Sequence, residues 1–288
     1  NRPPGIKETF PPSTAFQGGL LSPNYPADFA EIRISMDGLT WVGEKQAFFV
    51  TDRGTQRLSQ FDRQGNLMHA EKAGFFRDPV LDRHGKVYFM KRVGSNSDYR
   101  NAIYTYTPQS KAEKEIFSTA MELIATPMIW HPRLVFAPGS NFLAVNLSSN
   151  DAIQILDPET GARLANWDAH LPEIPLTKGF REAYMKDFLS RVFAKGAPPK
   201  GFQVDHREVW PFLHTILVDA QDRIWVFLFR SDVSMPVPFR VFDRTGTLLA
   251  KGKVTGMPQT IALGNLYALE VRQEETILTR TPLTTLLP

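Results

Sequence analysis

The phrase Phe61-Asp62-Arg63-Gln64-Gly65-Asn66-Leu67 returns as Phe242-Asp243-Arg244-Thr245-Gly246-Thr247-Leu248. Repetition at that distance restricts the chain to architectures that reuse one supersecondary unit, because such a unit buries its apolar surface only against its neighbours. Two looser versions stand between them, around Tyr106 in IYTYTP and Leu156 in ILDPETG. The first three lie about 45 to 50 residues apart and a longer gap precedes the fourth, which is the period of propeller blades with four short strands each.

Alternation and turn chemistry divide each unit into inner, two middle and outer strands. The first reads EIRISM, AFFVTD, RLSQFDR and NLMHAEK; the second DPVLD, KVYFMKR, AIYTYTP and KEIFS. The third reads RLVFAP, FLAVNLS, AIQILDP and ARLANWD, and the fourth HTILVD, RIWVFLF, FRVFDR and TLLAKGKV. The fifth offers only QTIAL, NLYALEV and TILTRTPL. The predicted fold is all-β, a propeller of five to six four-stranded blades, with a domain over residues 29–288 and an N-terminal arm over residues 1–28.

The repeated phrase has a structural reading. Phe61 and Phe242 end the third strand and pack between neighbouring sheets, where an aromatic ring fills the wedge. The Asp closes a turn onto its own backbone, and the Gly accepts the positive φ of that turn. Asp62 and Asp243 are therefore predicted to serve the hairpin rather than to act as catalytic acids.

One segment departs from the β pattern. Within residues 169–211, Phe180, Tyr184, Phe188 and Val192 recur every four residues, Thr177 supplies a cap, and Gly196 with Pro198 and Pro199 ends the run. The pattern predicts one amphipathic helix inserted between the third and fourth blades, packed on its own propeller.

Composition narrows the function classes. Lys and Arg number 33 against 30 Asp and Glu, and the excess of +3 is spread along the chain, which argues against nucleic acid as the main partner. No apolar run reaches the roughly 18 residues of a membrane span, and the start NRPPGIKETFPPS lacks the basic-then-apolar form of a signal peptide. The 0 Cys exclude disulfides and thiolate metal sites. The G-x-S-x-G, H-E-x-x-H, P-loop and G-x-G-x-x-G motifs are all missing.

The segments VLDRHGKVYFMKR, ILVDAQDRIWVFLF and FRVFDRTGTLLAKGKV with IALGNLYALEV resemble the bacterial six-bladed β-propeller proteins related to NHL-repeat propellers. The resemblance implies an exported protein, extracellular or periplasmic, that binds or scaffolds without catalysis. Six blades would exceed the five readable units, unless residues 1–28 hold remnants of another.

Candidate partner-binding residues lie in two segments that each lead into an inner strand. VDHREVWPFLH holds Asp205, His206, Glu208, Trp210 and His214, and MIWHPR holds Trp130 and His131. On one face, Trp130, His131, His206, Glu208 and Trp210 would form an aromatic and imidazole patch for a protein partner. A metal at His206 and its carboxylate neighbours is the weaker reading, since adjacent residues of an extended chain point apart. No catalytic residue and no cofactor is assigned. The alternative is a metal-dependent lactonase-type hydrolase, in which Asn146, Asn150 and Asp151 would help hold Ca²⁺ at the channel mouth. Finally, GIKETF in residues 1–28 is a plausible strand. It would either supply the outer strand missing from the fifth unit or be donated to a second copy, giving self-association.

Overall fold

The computed structural model describes residues 36–42, 47–52, 57–62, 66–72, 77–94, 100–107, 112–120, 134–148, 150–172, 213–230, 235–272 and 275–287, with Lys178, Gly179, Glu182 and Lys186. Consecutive strands pair antiparallel into separate sheets. The first contains β1 (Met36–Val42), β2 (Ala47–Asp52), β3 (Arg57–Phe61) and β4 (Leu67–Lys72). The second contains β5 (Arg77–Leu81), β6 (Val87–Val93), β7 (Arg100–Thr107) and β8 (Ala112–Ala120). The third contains β9 (Leu134–Pro138), β10 (Leu143–Leu147), β11 (Ala152–Leu156) and β12 (Arg163–Asp168). The fourth contains β13 (Leu213–Val218), β14 (Ile224–Leu228), β15 (Val237–Phe242) and β16 (Leu248–Val254). The fifth contains β17 (Met257–Ala262), β18 (Asn265–Arg272) and β19 (Glu275–Pro282). The inner strands β1, β5, β9, β13 and β17 adjoin in that order, and β17 adjoins β1, so the sheets form a ring. This is a β-propeller.

Three expectations need correction. Among the described residues four sheets are complete four-stranded blades and the fifth has three strands, in place of five to six four-stranded blades. After β19 the chain does not turn back along the sheet. It forms a 3-10 turn at Leu283–Thr285, with Leu283 buried and its N–H donating to the Gly264 carbonyl at 2.9 Å. The strand that pairs with β2 in the first sheet is Met36–Val42, which shares only Met36 with EIRISM; residues 31–35 lie outside the described residues. Pairing starts at Val42 opposite Ala47 and runs back to Met36 opposite Asp52. The inserted helix is not seen as a continuous element. Lys178, Gly179, Glu182 and Lys186 are helical and exposed, with Lys178 and Glu182 3.8 Å apart, while the stripe of Phe180, Tyr184, Phe188 and Val192 lies outside the described residues.

The apolar layers lie between sheets, and alternation along each strand creates them. On β14, Ile224, Val226 and Leu228 face the third sheet, whereas Trp225 and Phe227 face the fifth. On β9, Leu134 and Phe136 face the second sheet, whereas Val135 and Ala137 face the fourth. These strands read as continuous apolar runs because both faces are covered, as all five residues of β14 are. Each such side chain contributes roughly 1.5–3 kcal/mol of transfer free energy. Phe61 and Phe242 take their expected places, at 0% and 3% exposure, with Phe242 packed on Trp167 at 4.9 Å between ring centroids.

The recurring Asp closes its turn as expected, and five positions share the device. The Asp243 carboxylate accepts the N–H groups of Thr245 and Thr247, Asp157 those of Glu159 and Thr160, and Asp82 those of His84 and Lys86. Asp219 accepts from Gln221 and Arg223, and Asp62 from Asn66. A one-residue bulge accompanies the third-strand versions, at Gln60/Phe61, Ile155/Leu156 and Val241/Phe242.

Glycine in this turn meets two demands. Gly246 has φ +88, and a Cβ there would lie 2.6 Å from the Trp167 ring on β12 of the preceding blade. Gly161 has φ +75, and a Cβ would lie 1.9 Å from the Ile116 carbonyl oxygen on β8. Gly264 has φ +72 with nothing within 4 Å, so it isolates the backbone demand. Gly264→Ala should cost about 1–2 kcal/mol from the left-handed conformation alone, and Gly246→Ala clearly more. Urea unfolding of both variants measures the difference; equal losses would show that the contact with Trp167 carries no weight.

Candidate functional site

Strand alternation gives the ring two ends. The links between first and second strands and between third and fourth strands lie at one end, and the second-to-third loops and the blade-to-blade connections lie at the other.

At the hairpin end, polar side chains join neighbouring blades. Asp222 stands in the turn VDAQDR where Gly85 stands in LDRHGK, and it keeps the left-handed conformation with φ 60. Its carboxylate receives the Ser140 N–H at 2.8 Å and also the Ser140 hydroxyl, from the equivalent turn of the third blade. The strain of a non-glycine residue there is offset by a two-point bond to the neighbouring blade. Arg244 donates to Asn141 Oδ1 at 3.0 Å and lies over the Phe142 ring at 5.2 Å, and the Trp167 indole donates to the Arg244 carbonyl at 3.2 Å. One seam earlier, Lys86 pairs with Glu159 at 2.6 Å, and Lys114 donates to the Glu159 carbonyl at 2.6 Å. None of these pairs was assigned from sequence. The one local signal was an Asp in place of the turn glycine at residue 222.

Electrostatics at this end are those of closed turns. The Thr160 N–H, then its hydroxyl, then the Glu159 N–H, hold the Asp157 carboxyl below the usual aspartate range. For Asp243 burial pushes upward, but the Thr245 hydroxyl and the N–H groups of Thr247 and Thr245 together outweigh it and the net direction is down. Burial raises the Tyr88 hydroxyl far above the ordinary tyrosine value, with the nearby Asp82, Glu159 and Asp157 adding to it. Asp219 is enclosed, its second oxygen accepting from the Arg223 guanidinium at 2.7 Å and from the Trp225 indole at 2.8 Å.

Trp130, His131, His206, Glu208 and Trp210 lie outside the described residues. The strands into which their segments lead, β9 and β13, are adjacent in the ring. His214, inside β13, packs edge-on against Phe229 with centroids 5.3 Å apart. The loop after β10 is described in part. Asn146 is fully buried, and its amide nitrogen donates to the Asn150 carbonyl at 3.1 Å, the Asn150 side-chain oxygen at 3.3 Å and the Ala152 carbonyl at 2.7 Å. The Asn150 side-chain oxygen also accepts the Ala152 N–H, and the Asp151 carbonyl accepts the Ala169 N–H. Asn146 and Asn150 are thus brought together, as a staple across their own loop. Asn146 Oδ1 is buried without a hydrogen-bond partner. Among the described residues no three His, Asp or Glu side chains are grouped to hold a metal ion.

No protein-family model matches the sequence, and no curated protein matches it. Solved structures are similar to it in fold. A gluconolactonase from Xanthomonas campestris is 15% identical with TM-score 0.43, over 86% of this chain and 70% of that one. TolB from Acinetobacter baumannii is 11% identical with TM-score 0.45, and the match covers 88% of this chain and 53%, about half, of TolB. Nidogen, solved in complex with laminin, is 12% identical with TM-score 0.46, over 87% and 78% of the two chains. These are β-propellers of both kinds, a lactonase and binding proteins, and likenesses of this size do not choose between them.

The depressed Asp157 and Asp243 carboxyls fix a pH dependence. With folded values below the ordinary 3.8, their contribution is fully present above that pH and is lost as pH falls through the folded values. Melting temperatures should therefore drop below about pH 4. Asp243→Asn keeps an acceptor oxygen but has no charge to lose, so thermal unfolding from pH 7 to pH 2.5 should show a shallower acid drop; an unchanged drop would remove Asp243 from the account.

Proposed function

We propose that this chain is a non-catalytic extracytoplasmic β-propeller that acts as a binding or structural module for protein partners. The observation that carries the reading is where its polar side chains are engaged. Of the residues a channel-mouth hydrolase would draw on, Asn146 donates to the Asn150 side-chain oxygen and the Ala152 carbonyl, and the Asn150 side-chain oxygen accepts the Ala152 N–H, across one loop. The strand-end aspartates Asp82, Asp157, Asp219 and Asp243 close their own turns. Resemblance of the last blades to NHL-related bacterial propellers supports export and scaffolding. Among the described residues no helix is long and apolar enough to cross a membrane.

Partner contacts fall to the end that carries the blade-to-blade connections, where the segments holding Trp130 and His131 and holding His206, Glu208 and Trp210 lead into adjacent strands. Residues 1–28 enter this reading either as the closing strand of their own ring or as a strand passed to a second copy.

The lactonase-type alternative draws on one observation, the partnerless Asn146 Oδ1, an oxygen of the kind that Ca²⁺ takes. Elemental analysis of the purified protein, with melting temperatures measured in excess Ca²⁺ and in chelator, separates the two readings. The binding-module reading expects no stoichiometric metal and equal melting temperatures. Stoichiometric Ca²⁺ whose removal lowers the melting temperature would replace it with the hydrolase.

A further inference from the structure

Consecutive blades are joined at residues 73–76, 121–133, 169–212 and 255–256, and the third of these links is the longest. A short link places its two ends by its length alone. A long one leaves them free unless something fixes them, and the entropy of closing the loop grows with its length. At residues 169–212 the returning end is fixed by β13, where Leu213 pairs with Leu228 and is fully buried. The departing end, residues 169–171, belongs to no strand, yet it is held from three sides. Ala169 and Leu171 are buried in the apolar layer between the third and fourth sheets, the layer that Leu213 also enters. The Ala169 N–H donates to the Asp151 carbonyl at 2.9 Å, which ties this end to the third blade. One guanidinium nitrogen of Arg240 donates to the Ala169 carbonyl at 2.9 Å and to the His170 carbonyl at 2.7 Å, which ties it to the fourth.

A paired bond to successive carbonyls needs a particular backbone, because neighbouring carbonyls of an extended chain point to opposite sides. His170 has φ 47, a left-handed conformation uncommon outside glycine, and both carbonyls there come within reach of one nitrogen. Arg240 stands opposite Val226, whose side chain lies in the same layer between the third and fourth sheets, so Arg240 shares the face of β15 turned to the third blade. The carbonyls are neutral and the guanidinium keeps its charge, so this clip does not titrate.

We infer that Arg240 is a positioning residue for the long link: it fixes the point at which the chain leaves the third blade against the blade to which it returns. The clip stands on the bonds described above. Its consequence for recognition rests on the binding-module reading, since the link carries His206, Glu208 and Trp210, and the residue that holds the root of the link sets where they are attached to the ring.

Arg240→Met keeps the aliphatic stem and removes every donor, while Arg240→Lys keeps a cationic head on a shorter stem. Amide hydrogen exchange of the full chain, read from overlapping peptides by mass spectrometry, tests the inference. Arg240→Met should speed exchange at residues 169–171 by about tenfold or more and leave β13 to β16 protected, with Arg240→Lys between it and the unaltered chain. Unchanged exchange at residues 169–171 would overturn the inference, because burial of Ala169 and Leu171 would then hold the root unaided. Equal acceleration throughout β13 to β16 would also overturn it, since Arg240 would then support the fourth blade as a whole. Failure here leaves the binding-module reading standing, and stoichiometric Ca²⁺ in the elemental analysis would leave the clip standing.

Discussion

Everything in this fold depends on sheets that are apolar on both faces. A strand such as β14, with Trp225 and Phe227 on one side and Ile224, Val226 and Leu228 on the other, cannot be satisfied by one neighbour. The ring follows from that constraint, because only a closed series gives every middle strand two partners. Turn chemistry is subordinate to it. The aspartates that close the hairpins fix strand ends to within a residue, and the glycines beside them let the turn of one blade lie directly on the outer strand of the blade before.

How far the sequence can be read depends on whether the relevant signal is local. AIQILDP, RIWVFLF and NLYALEV announce β11, β14 and β18 because the apolar run and the turn that ends it are contiguous. β1 was misplaced because MDGLTWV has Asp37 and Gly38 near its start and owes its strand state to pairing with β2 across a bulge. QTIAL, NLYALEV and TILTRTPL likewise give the three strands of the fifth sheet, and the leucines that follow fill a seam between sheets, whereas the count of five to six blades turned on residues 1–28, which lie outside the described residues.

The polar contacts between blades were the least legible part, for a related reason. Ser140 and Asp222 lie in different blades and meet only when both turns are formed, so neither residue carries a pattern that points to the other. Asn146, Asn150 and Asp151 are the residues that a Ca²⁺ site at the channel mouth would use. In the structure the Asn146 amide nitrogen holds its own loop, while its side-chain oxygen is buried without a hydrogen-bond partner.

The contact between β1 and β17 also has a kinetic side. Linking strands separated by roughly 220 residues closes a far larger loop than any other seam requires, and each doubling of loop length adds about 0.6 kcal/mol of entropic cost. By contrast β16 and β17 are joined by Thr255 and Gly256 alone. The seam between the fourth and fifth sheets is thus the most local in the chain and the seam that shuts the ring the most remote, so folding runs against a gradient in contact order that ends at the first blade. Until that last seam forms, the inner strands at both ends of the series stay open to other chains, which makes ring closure the step at which this protein is most exposed to misassembly.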